Sequence, residues 1–451
     1  MRILAFSHTG LVSGGAEQCL LEYVDALVAR GHECKVIIPH EGPMQKAFTD
    51  KGIDNMIIGY GWAIRPYKQF DLHKLLTSNG NSLTKIFNEV QGYKPDVILV
   101  NTSVIPWGLY AGHIFQIPSV LLIHEILNEK DPSLDVLPDY TSYATSVLSE
   151  YADTVVYNSN FVKREFENEI SKPFTSKKIL YPLPPLDKEK IDNLYQQNKI
   201  DKVLKIAIFG ALAPRKNQLE AIEAAGELKR MGTTSFSIDL YGDIAANVPY
   251  VRKLRKAIKT HSLEDHVKLK GYTNTVYKTM NEYNVILSTS THEPFGRTII
   301  EGQLFGRIVI ANDTGGGPEL INDNETGYLY ELGNAKELAG KISYIIENQK
   351  KAFVTAQKAR DIQTKTFLTN HRYDALIESV EFYADKAAND SQSKDDFFNP
   401  IRALYEYNIQ LQVRYEKFEK ILYNKYTRSA KRIFSRAKNI AKRTVKEILS
   451  K

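Results

Sequence analysis

Two glutamates, Glu293 and Glu301, stand eight positions apart in the segment HEPFGRTIIEGQ and could bind one ligand together. The apolar run at 284–287 predicts a strand before them, and the stretch at 297–305 predicts a helix after them. The Pro-Phe-Gly turn places Glu293 in the loop beyond the carboxyl end of the strand, where open α/β sheets bind ligands. Glu301 lies about one turn into the helix, so both carboxylates can face one crevice.

A pair of carboxylates in this arrangement suits a ligand that is rich in hydroxyl groups. Each carboxylate can accept hydrogen bonds from two neighbouring hydroxyls at once. The spacing alone leaves a second interpretation open, in which Glu301 complements the helix dipole and Glu293 is an unrelated loop residue. The rest of the chain has to decide between these two interpretations.

The size and composition of the chain predict two globular domains and an appendage. It has 451 residues, of which 43% are hydrophobic, which is enough for two domains of ordinary size. The opening residues, MRILAFSHTG, predict a strand and a loop rather than a signal peptide. No apolar run is long enough to predict a membrane-spanning helix. Two cysteines, Cys19 and Cys34, fit a cytoplasmic protein with reduced thiols.

Short apolar strands alternate with amphipathic helices and predict the fold class. Eleven strand candidates form two series, which are separated by the proline-rich segment YPLPPLD at 181–187. Continuous apolar strands joined by helices indicate parallel sheets that are covered on both faces. We therefore expect an α/β protein with two Rossmann-like domains.

The predicted boundaries follow the changes in composition along the chain. We expect an N-terminal Rossmann-like domain at 1–183 and a C-terminal Rossmann-like domain at 184–370. A helix at 371–386 should pack back toward the N-terminal domain. A flexible linker rich in Asp, Ser and Lys should follow at 387–399, and a basic helical tail at 400–451.

Three glycine-containing loops between a predicted strand and a predicted helix could present backbone N–H groups to an anion. They are SGGAEQ at 13–18, FGALAPRKNQ at 209–218 and TGGGPEL at 314–320. In the second loop, Arg215 and Lys216 suit a diphosphate, because arginine binds phosphate bidentately and lysine acts as a point charge. Each loop by itself also fits plain tight packing. The chain has neither G-x-G-x-x-G after the first strand of a series nor a P-loop motif, which argues against dinucleotide cofactors and against ATPases.

Taken in order, these segments resemble the retaining glycosyltransferases of family 4, which have the two-domain GT-B fold. SGGAEQCLLEYVDALVARGHECKVI is similar to the opening glycine loop, first helix and second strand of that family. SVLLIHEI places a histidine at a strand end, and GALAPRKN is similar to the phosphate-binding loop. The segment from HEPFGRTIIEGQ to ETGYLY is similar to the donor-binding signature. The resemblance covers residues 1–385 and implies an acceptor-side first domain and a nucleotide-sugar-binding second domain, facing each other across a cleft.

The resemblance also implies a role for each candidate residue. Glu301 would bind the ribose hydroxyls of a nucleotide sugar, and Glu293 would contact the transferred sugar. His124 would face the reacting sugar, while Arg215 and Lys216 would neutralise the departing diphosphate. Further donor contacts are implied at Gly15, Gly210, Phe295, Gly296, Gly315 and Gly316.

The reaction implied is transfer of a hexose from a nucleotide sugar to a lipid-linked oligosaccharide or a cell-surface polysaccharide precursor, with the anomeric configuration retained. We expect no cofactor besides the donor and no metal ion, since no D-x-D stands at a strand end. The family often has an arginine directly after the first glycine of the phosphate loop; Ala211 stands there in this chain, and Arg215 is expected to compensate. Two alternatives remain, a nucleotide-sugar epimerase of GT-B fold and a non-catalytic glycosyltransferase-like partner subunit.

The segment 400–451 has a different charge from the rest of the chain. It carries fourteen Lys and Arg but only four Asp and Glu, so it is strongly basic. The whole chain has 59 Lys and Arg and 53 Asp and Glu, so the residues before 400 carry 45 basic and 49 acidic groups and are slightly acidic. Its apolar residues recur at three- and four-residue steps and predict a basic amphipathic helix that binds an anionic membrane surface. That would hold the enzyme peripherally on the inner face of the cell membrane. An oligomerising coiled coil, which would make a homo-oligomer, and an RNA-binding surface are competing interpretations, and we expect no nucleic acid as a partner.

Overall fold

The computed structural model describes most of the chain up to residue 389. The described residues are 1–12, 14–62, 72–126, 148–170, 173–174, 176–182, 188–199, 202–368 and 373–389, without the side chains of 72–80 and 169. The predicted tail at 400–451 and most of the predicted linker at 387–399 lie outside these ranges.

The first domain is built on a seven-stranded parallel sheet in the order β3-β2-β1-β4-β5-β6-β7. Its strands are β1 (Arg2–Phe6), β2 (Glu33–Ile38), β3 (Asp54–Ile57), β4 (Val97–Asn101), β5 (Ser119–Ile123), β6 (Thr154–Tyr157) and β7 (Lys177–Ile179). Its helices are α1 (Gly15–Ala29), α2 (Pro43–Asp50), α3 (Leu72–Tyr93), α4 (Trp107–Phe115) and α5 (Asn160–Glu169). The central strands β4 and β5 are buried along their whole length, as expected for a parallel sheet with helices on both faces.

The second domain is built on a six-stranded parallel sheet in the order β10-β9-β8-β11-β12-β13. Its strands are β8 (Leu204–Phe209), β9 (Phe236–Tyr241), β10 (Val267–Gly271), β11 (Val285–Ser288), β12 (Ile308–Asn312) and β13 (Tyr328–Tyr330). Its helices are α6 (Lys188–Leu194), α7 (Gln218–Arg230), α8 (Val248–Thr260), α9 (Val276–Met280), α10 (Arg297–Leu304), α11 (Gly317–Leu320), α12 (Ala335–Glu347) and α13 (Gln349–Phe367).

The last described helix, α14 (Asp374–Asn389), returns from the second domain to the first. Its apolar side chains Leu376, Val380 and Ala384 are buried in the same cluster as Leu20 and Val24 of α1. The helix also contacts β4, β5 and β7. Residues from the far end of the chain therefore complete the core of the first domain.

The strand order fixes where ligands can bind. In the first sheet the order reverses between β1 and β4, and in the second it reverses between β8 and β11. Open α/β sheets bind ligands in the crevice beyond the carboxyl ends of the strands at such a reversal. The loops that follow these four strands are therefore the elements that build a site.

The structure confirms the predicted fold class of two parallel α/β domains. The eleven predicted strands are present. The two strands that were not predicted, β3 and β7, lie at the edges of the first sheet and are mostly exposed or half-buried. Their sequences, DNMI and KKI, lack the apolar run of a central strand. Among the described helices, none has the length and apolar character that crossing a membrane requires.

We predict that Leu376→Ala lowers the free energy of unfolding of the first domain by about 2–5 kcal/mol, because Leu376 has no exposed surface. Phe382→Ala on the same helix is the matched control, since that side chain is 59% exposed. Urea unfolding followed by tryptophan fluorescence measures the effect, because both tryptophans of the chain, Trp62 and Trp107, lie in the first domain. Equal stabilities of the two variants would contradict the docking of α14.

Candidate functional site

The two loops at the reversal point of the second sheet meet in an ion pair. Lys216 Nζ donates a hydrogen bond to Glu293 Oε2 at 2.5 Å. Lys216 and Arg215 lie in one turn of 3-10 helix immediately before α7. The backbone also ties the loops together, since the Thr291 N–H donates to Arg215 O at 3.0 Å. Gly210, beside Lys216, has φ +145°, a backbone conformation that favours glycine. The predicted cations and the first glutamate are therefore neighbours.

Glu293 is an ionised carboxylate in a partly buried position. Burial by itself would raise the pKa of Glu293, but the charges of Lys216 and Arg215, with hydrogen bonds from Lys216 and Ser290, lower it to about 2. At neutral pH this side chain accepts hydrogen bonds and does not donate a proton. Its negative charge also holds Lys216 at the site.

Two glycines bring the third glycine loop against the loop of Glu293. Gly315 has φ +70°, and a Cβ there would lie 2.6 Å from Glu293 O. A Cβ on Gly316 would overlap Phe295 O, and the Gly316 N–H donates to Glu293 O at 2.7 Å. The Gly316 amide is thus used in the close packing of the two loops, and the donor contact implied at Gly316 stays a prediction. The glycines fix the backbone that carries Glu293.

Phe295 and Gly296 form the turn into α10. The Phe295 ring is buried and stacks on Tyr181 with a centroid distance of 5.4 Å. Gly296 is the N-cap of α10 in the left-handed region, with φ +108°, where a side chain would be strained. Arg297, the first residue of α10, reaches the first domain. The positive end of the helix dipole therefore lies at the boundary between the domains, where it favours an anion.

Glu301 lies one turn into α10 and is almost completely buried, at 7% exposure. The Tyr277 hydroxyl donates to Glu301 Oε1 at 3.4 Å, and Arg297 Nε lies 3.8 Å from the same oxygen. Burial raises the pKa of Glu301 to about 7, with Glu22 adding to the rise and Arg297 opposing it. The protonation of Glu301 near neutral pH therefore depends on the charges of its neighbours Arg297 and Glu22.

Arg297 spans the boundary between the two domains. Its Nη2 donates to Glu22 Oε1 of α1 at 2.9 Å, and its Nη1 lies 3.6 Å from Cys19 Sγ. Gly15, at the first turn of α1, faces the same side chain, since a Cβ there would lie 3.7 Å from Arg297 Cδ. The predicted Gly15 thus stands opposite α10, the helix that carries Glu301.

Two further contacts join the second domain to the first, one from the loop of Glu293 and one from α11. The Ser159 hydroxyl donates to Pro294 O at 2.6 Å. The Glu319 carboxylate accepts from the N–H groups of Asn160, at 2.9 Å, and of Phe161, at the N-terminus of α5. A carboxylate of the second domain thus caps a helix of the first, where the helix dipole stabilises it.

His124, at the end of β5, is buried and neutral. Its Nε2 lies 2.9 Å from Asn101 Oδ1, while Asn101 Nδ2 donates to Ala16 O, so Nε2 carries the proton. Burial, with the nearby charges of His8 and Arg297, lowers the pKa of His124 to about 3. The other ring nitrogen, Nδ1, is buried and has no hydrogen-bond partner among the described residues. In this tautomer Nδ1 is the ring nitrogen that can accept a hydrogen bond.

Several residues at the boundary were not predicted from the sequence. They include the Arg297–Glu22 pair, the Glu319 cap, and a pair in which His8 Nε2 lies 3.4 Å from Glu17 Oε1. Local signals exist for two of these residues. Arg297 directly follows the Pro-Phe-Gly turn, and Glu22 interrupts the apolar run of α1 in LLEYV.

The chemistry of the assembled groups suits a ligand with both phosphates and hydroxyls. Two side-chain cations and a helix N-terminus can stabilise negative charge, while two carboxylates and a neutral imidazole accept hydrogen bonds from hydroxyls. Within the part of the chain that the structure describes, no group of three or more His, Cys, Asp or Glu is arranged to hold a metal ion.

Comparison with known families matches the two domains separately. Residues 13–176 match the model described as Glycosyltransferase Family 4, and residues 190–362 match the model described as Glycosyl transferases group 1. The first match contains strands β2 to β6 of the first sheet, and the second contains all six strands of the second sheet.

Curated relatives align over part of their length. The chain is 32% identical over 173 residues to the poly(ribitol-phosphate) alpha-N-acetylglucosaminyltransferase of Staphylococcus aureus, which covers 38% of this chain and 34% of that protein. It is 27% identical over 224 residues to a Campylobacter jejuni N-acetylgalactosaminyltransferase that acts on a diphospho-undecaprenol, which covers 48% and 58%. The aligned stretches thus span about a third to somewhat over half of these relatives.

Solved structures share the fold over nearly their whole length. The Anabaena protein HepE, in complex with UDP and glucose, superposes with a TM-score of 0.69 at 24% identity and covers 84% of this chain and 99% of its own. The protein TarM of S. aureus superposes with a TM-score of 0.65 at 14% identity and covers 85% and 98%. By its two matched family models and its fold, the chain belongs to the group 1 glycosyltransferases of GT-B fold.

Proposed function

We propose that the protein is a retaining glycosyltransferase that moves a sugar from a nucleotide-sugar donor to a lipid-linked oligosaccharide or a cell-surface polysaccharide precursor. The observation that supports this best is the ion pair of Lys216 with Glu293, beside Arg215, at the reversal point of the second sheet. Glu301 lies one turn into the helix that follows Glu293, next to the first domain. Cations for a diphosphate and carboxylates for two sets of hydroxyls are thereby available to one bound molecule.

The proposed roles follow the charges of these groups. Glu301 accepts hydrogen bonds from the ribose hydroxyls, and Glu293 from hydroxyls of the transferred sugar. During transfer the bond from the anomeric carbon to the diphosphate oxygen breaks, and negative charge grows on that oxygen. Arg215 and Lys216 stabilise that charge. Preorganised cations contribute most to the rate when they stabilise charge that develops in the transition state. Because Lys216 is paired with Glu293, an incoming diphosphate competes for this cation.

We propose that the acceptor oxygen attacks the anomeric carbon on the same face of the sugar ring from which the diphosphate departs, so that the anomeric configuration is retained. The acceptor proton passes to the departing phosphate oxygen. Glu293 stabilises positive charge on the sugar ring through its negative charge and does not form a bond to the sugar. Its ion pair with Lys216 supports this division, because a carboxylate held by a cation is a weak nucleophile.

We also propose that the reaction needs no metal ion and no cofactor besides the donor, with Arg215 and Lys216 supplying the positive charge at the diphosphate. The relatives support a transferase more than the alternatives of an epimerase or a non-catalytic subunit, since their names describe transfer to a polyol-phosphate polymer or a lipid-linked glycan. HepE binds UDP-glucose, so UDP-sugars are the first donors to test.

An assay with donor and acceptor tests the function as a whole. The protein is incubated with a UDP-, GDP- or dTDP-sugar, with and without a lipid-linked oligosaccharide or a polyol-phosphate polymer, in the presence of EDTA. Proton NMR of the product should show the anomeric configuration of the donor. Conversion of donor without acceptor would instead indicate an epimerase, and no turnover with any combination would indicate a non-catalytic subunit.

We predict that replacing both Arg215 and Lys216 with alanine lowers kcat at least about 100-fold, because both cations stabilise charge that develops in the transition state. The apparent KM for the donor should change less. Steady-state kinetics at saturating acceptor measure both constants.

A matched control exists on the exposed face of α8, where Arg252 and Lys253 are also consecutive. Their double alanine variant removes the same two charges from the chain without touching the site. A kcat that falls equally in both variants would contradict the assignment of Arg215 and Lys216.

We predict that Glu301→Ala raises the apparent KM for the donor about 10- to 100-fold, since it removes the acceptor of two ribose hydrogen bonds. The value of kcat should change less. Glu325→Ala, which removes an exposed carboxylate paired with Lys358, serves as the control. An unchanged donor KM in Glu301→Ala would exclude Glu301 from the donor site.

We propose that the basic segment 400–451 holds the enzyme on an anionic membrane. Its binding to vesicles that contain phosphatidylglycerol should fall more than tenfold when six tail cations are changed to glutamine, because each contributes about 1 kcal/mol near such a surface. The six are Lys431, Arg432, Arg436, Lys438, Lys442 and Arg443. Vesicle flotation measures this, with neutral phosphatidylcholine vesicles as the control. Equal flotation of the two proteins with anionic vesicles would contradict the proposal.

A further inference from the structure

One cation lies between two buried carboxylates that belong to different domains. Arg297 is the first residue of α10, and its guanidinium donates to Glu22 Oε1 on α1 at 2.9 Å. Its Nε also lies 3.8 Å from Glu301 Oε1, one turn further along α10. The side chains of Glu22 and Glu301 are 5% and 9% exposed, and that of Arg297 is 15% exposed. Charges this deeply buried depend strongly on their partners.

We infer that Arg297 is a positioning residue that couples the contact between the two domains to the charge of Glu301, and so to donor binding. The inference rests on the proposed function, in which Glu301 binds the ribose. Its basis is the geometry in which Glu22 and Glu301 compete for a single guanidinium.

The groups that face Glu301 come from three helices. They are Arg297 of α10 itself, Glu22 of α1 and Tyr277 of α9. With the domains in contact, Glu22 takes part of the charge of Arg297 and adds its own negative charge, and with burial this raises the pKa of Glu301 to about 7. When α1 moves away, Glu22 leaves and Arg297 acts on Glu301 alone, which lowers the pKa of that carboxylate.

The coupling also acts in the opposite direction, because linkage between two equilibria is reciprocal. Donor binding favours the ionised form of Glu301, and the ionised carboxylate competes with Glu22 for Arg297. Binding of the donor in the second domain therefore weakens the contact between Arg297 and Glu22, and loss of that contact strengthens donor binding.

The test is the pH dependence of donor affinity, measured by calorimetry between pH 5.5 and 8.5. The probes are UDP-glucose, GDP-mannose and dTDP-glucose, whose diphosphates do not titrate in this range. Ionised Glu301 is the better acceptor, so affinity in the wild type should rise as pH rises through the pKa of about 7. Arg297→Met should move the midpoint to higher pH, and Glu22→Gln should move it to lower pH, each by about one unit.

Opposite shifts are the signature of a shared cation, and a merely structural role would not produce them. Arg297→Lys keeps the charge and should restore a midpoint near that of the wild type. Arg360→Met is the matched control, because Arg360 pairs with Asp192 at 2.7 Å and its loss should leave the midpoint unchanged. Far-UV circular dichroism of the whole protein reports whether each variant is folded.

The outcomes distinguish this inference from the proposed function. If none of the three nucleotide sugars binds to the wild type, the proposed function is contradicted and the inference falls with it. If one of them binds and the midpoints of Arg297→Met and Glu22→Gln do not move in opposite directions, the inference alone is overturned.

Discussion

Charges that are buried between two domains must be paired, and this constraint determines how the protein is built around its cleft. Glu293 is paired with Lys216, and Glu22 and Glu301 share Arg297. Leaving any one of these groups unpaired would cost several kcal/mol. The pairs therefore hold loops and helices in fixed positions. A ligand with phosphates and hydroxyls can take the place of one partner in a pair, so that no buried charge is left unpaired.

Sheet topology and glycine place these pairs where a ligand can reach them. Both sheets reverse their strand order near the cleft, so the loops after β8 and β11 lie side by side. Gly315 and Gly316 allow a third loop to pack against the loop of Glu293, and Gly296 turns the chain into α10. A Cβ at Gly315 would overlap the backbone of Glu293, and a Cβ at Gly316 would overlap the backbone of Phe295. The packing of the loops and the position of the proposed site therefore depend on the same glycines.

The sequence was sufficient for the features that local pattern determines. Apolar runs predicted the central strands, and the order of strand, glycine and helix predicted which loops carry Lys216 and Glu293. The edge strands β3 and β7 were not predicted, because these exposed or half-buried strands have no apolar run. The Arg297–Glu22 pair could not be predicted, since it forms only when two separately folded sheets dock and no spacing along the chain encodes that docking. The use of the Gly316 amide by Glu293 O likewise depends on how two loops pack.

The assignment of the donor site can be tested with a crystal structure of the protein bound to a nucleotide diphosphate. Both ribose hydroxyls should lie within hydrogen-bond distance of the Glu301 carboxylate. The diphosphate should contact Arg215 and Lys216 at the N-terminus of α10, with Lys216 shifted from Glu293 toward the phosphate. A nucleotide bound elsewhere, or a ribose that makes no contact with Glu301, would contradict the assignment.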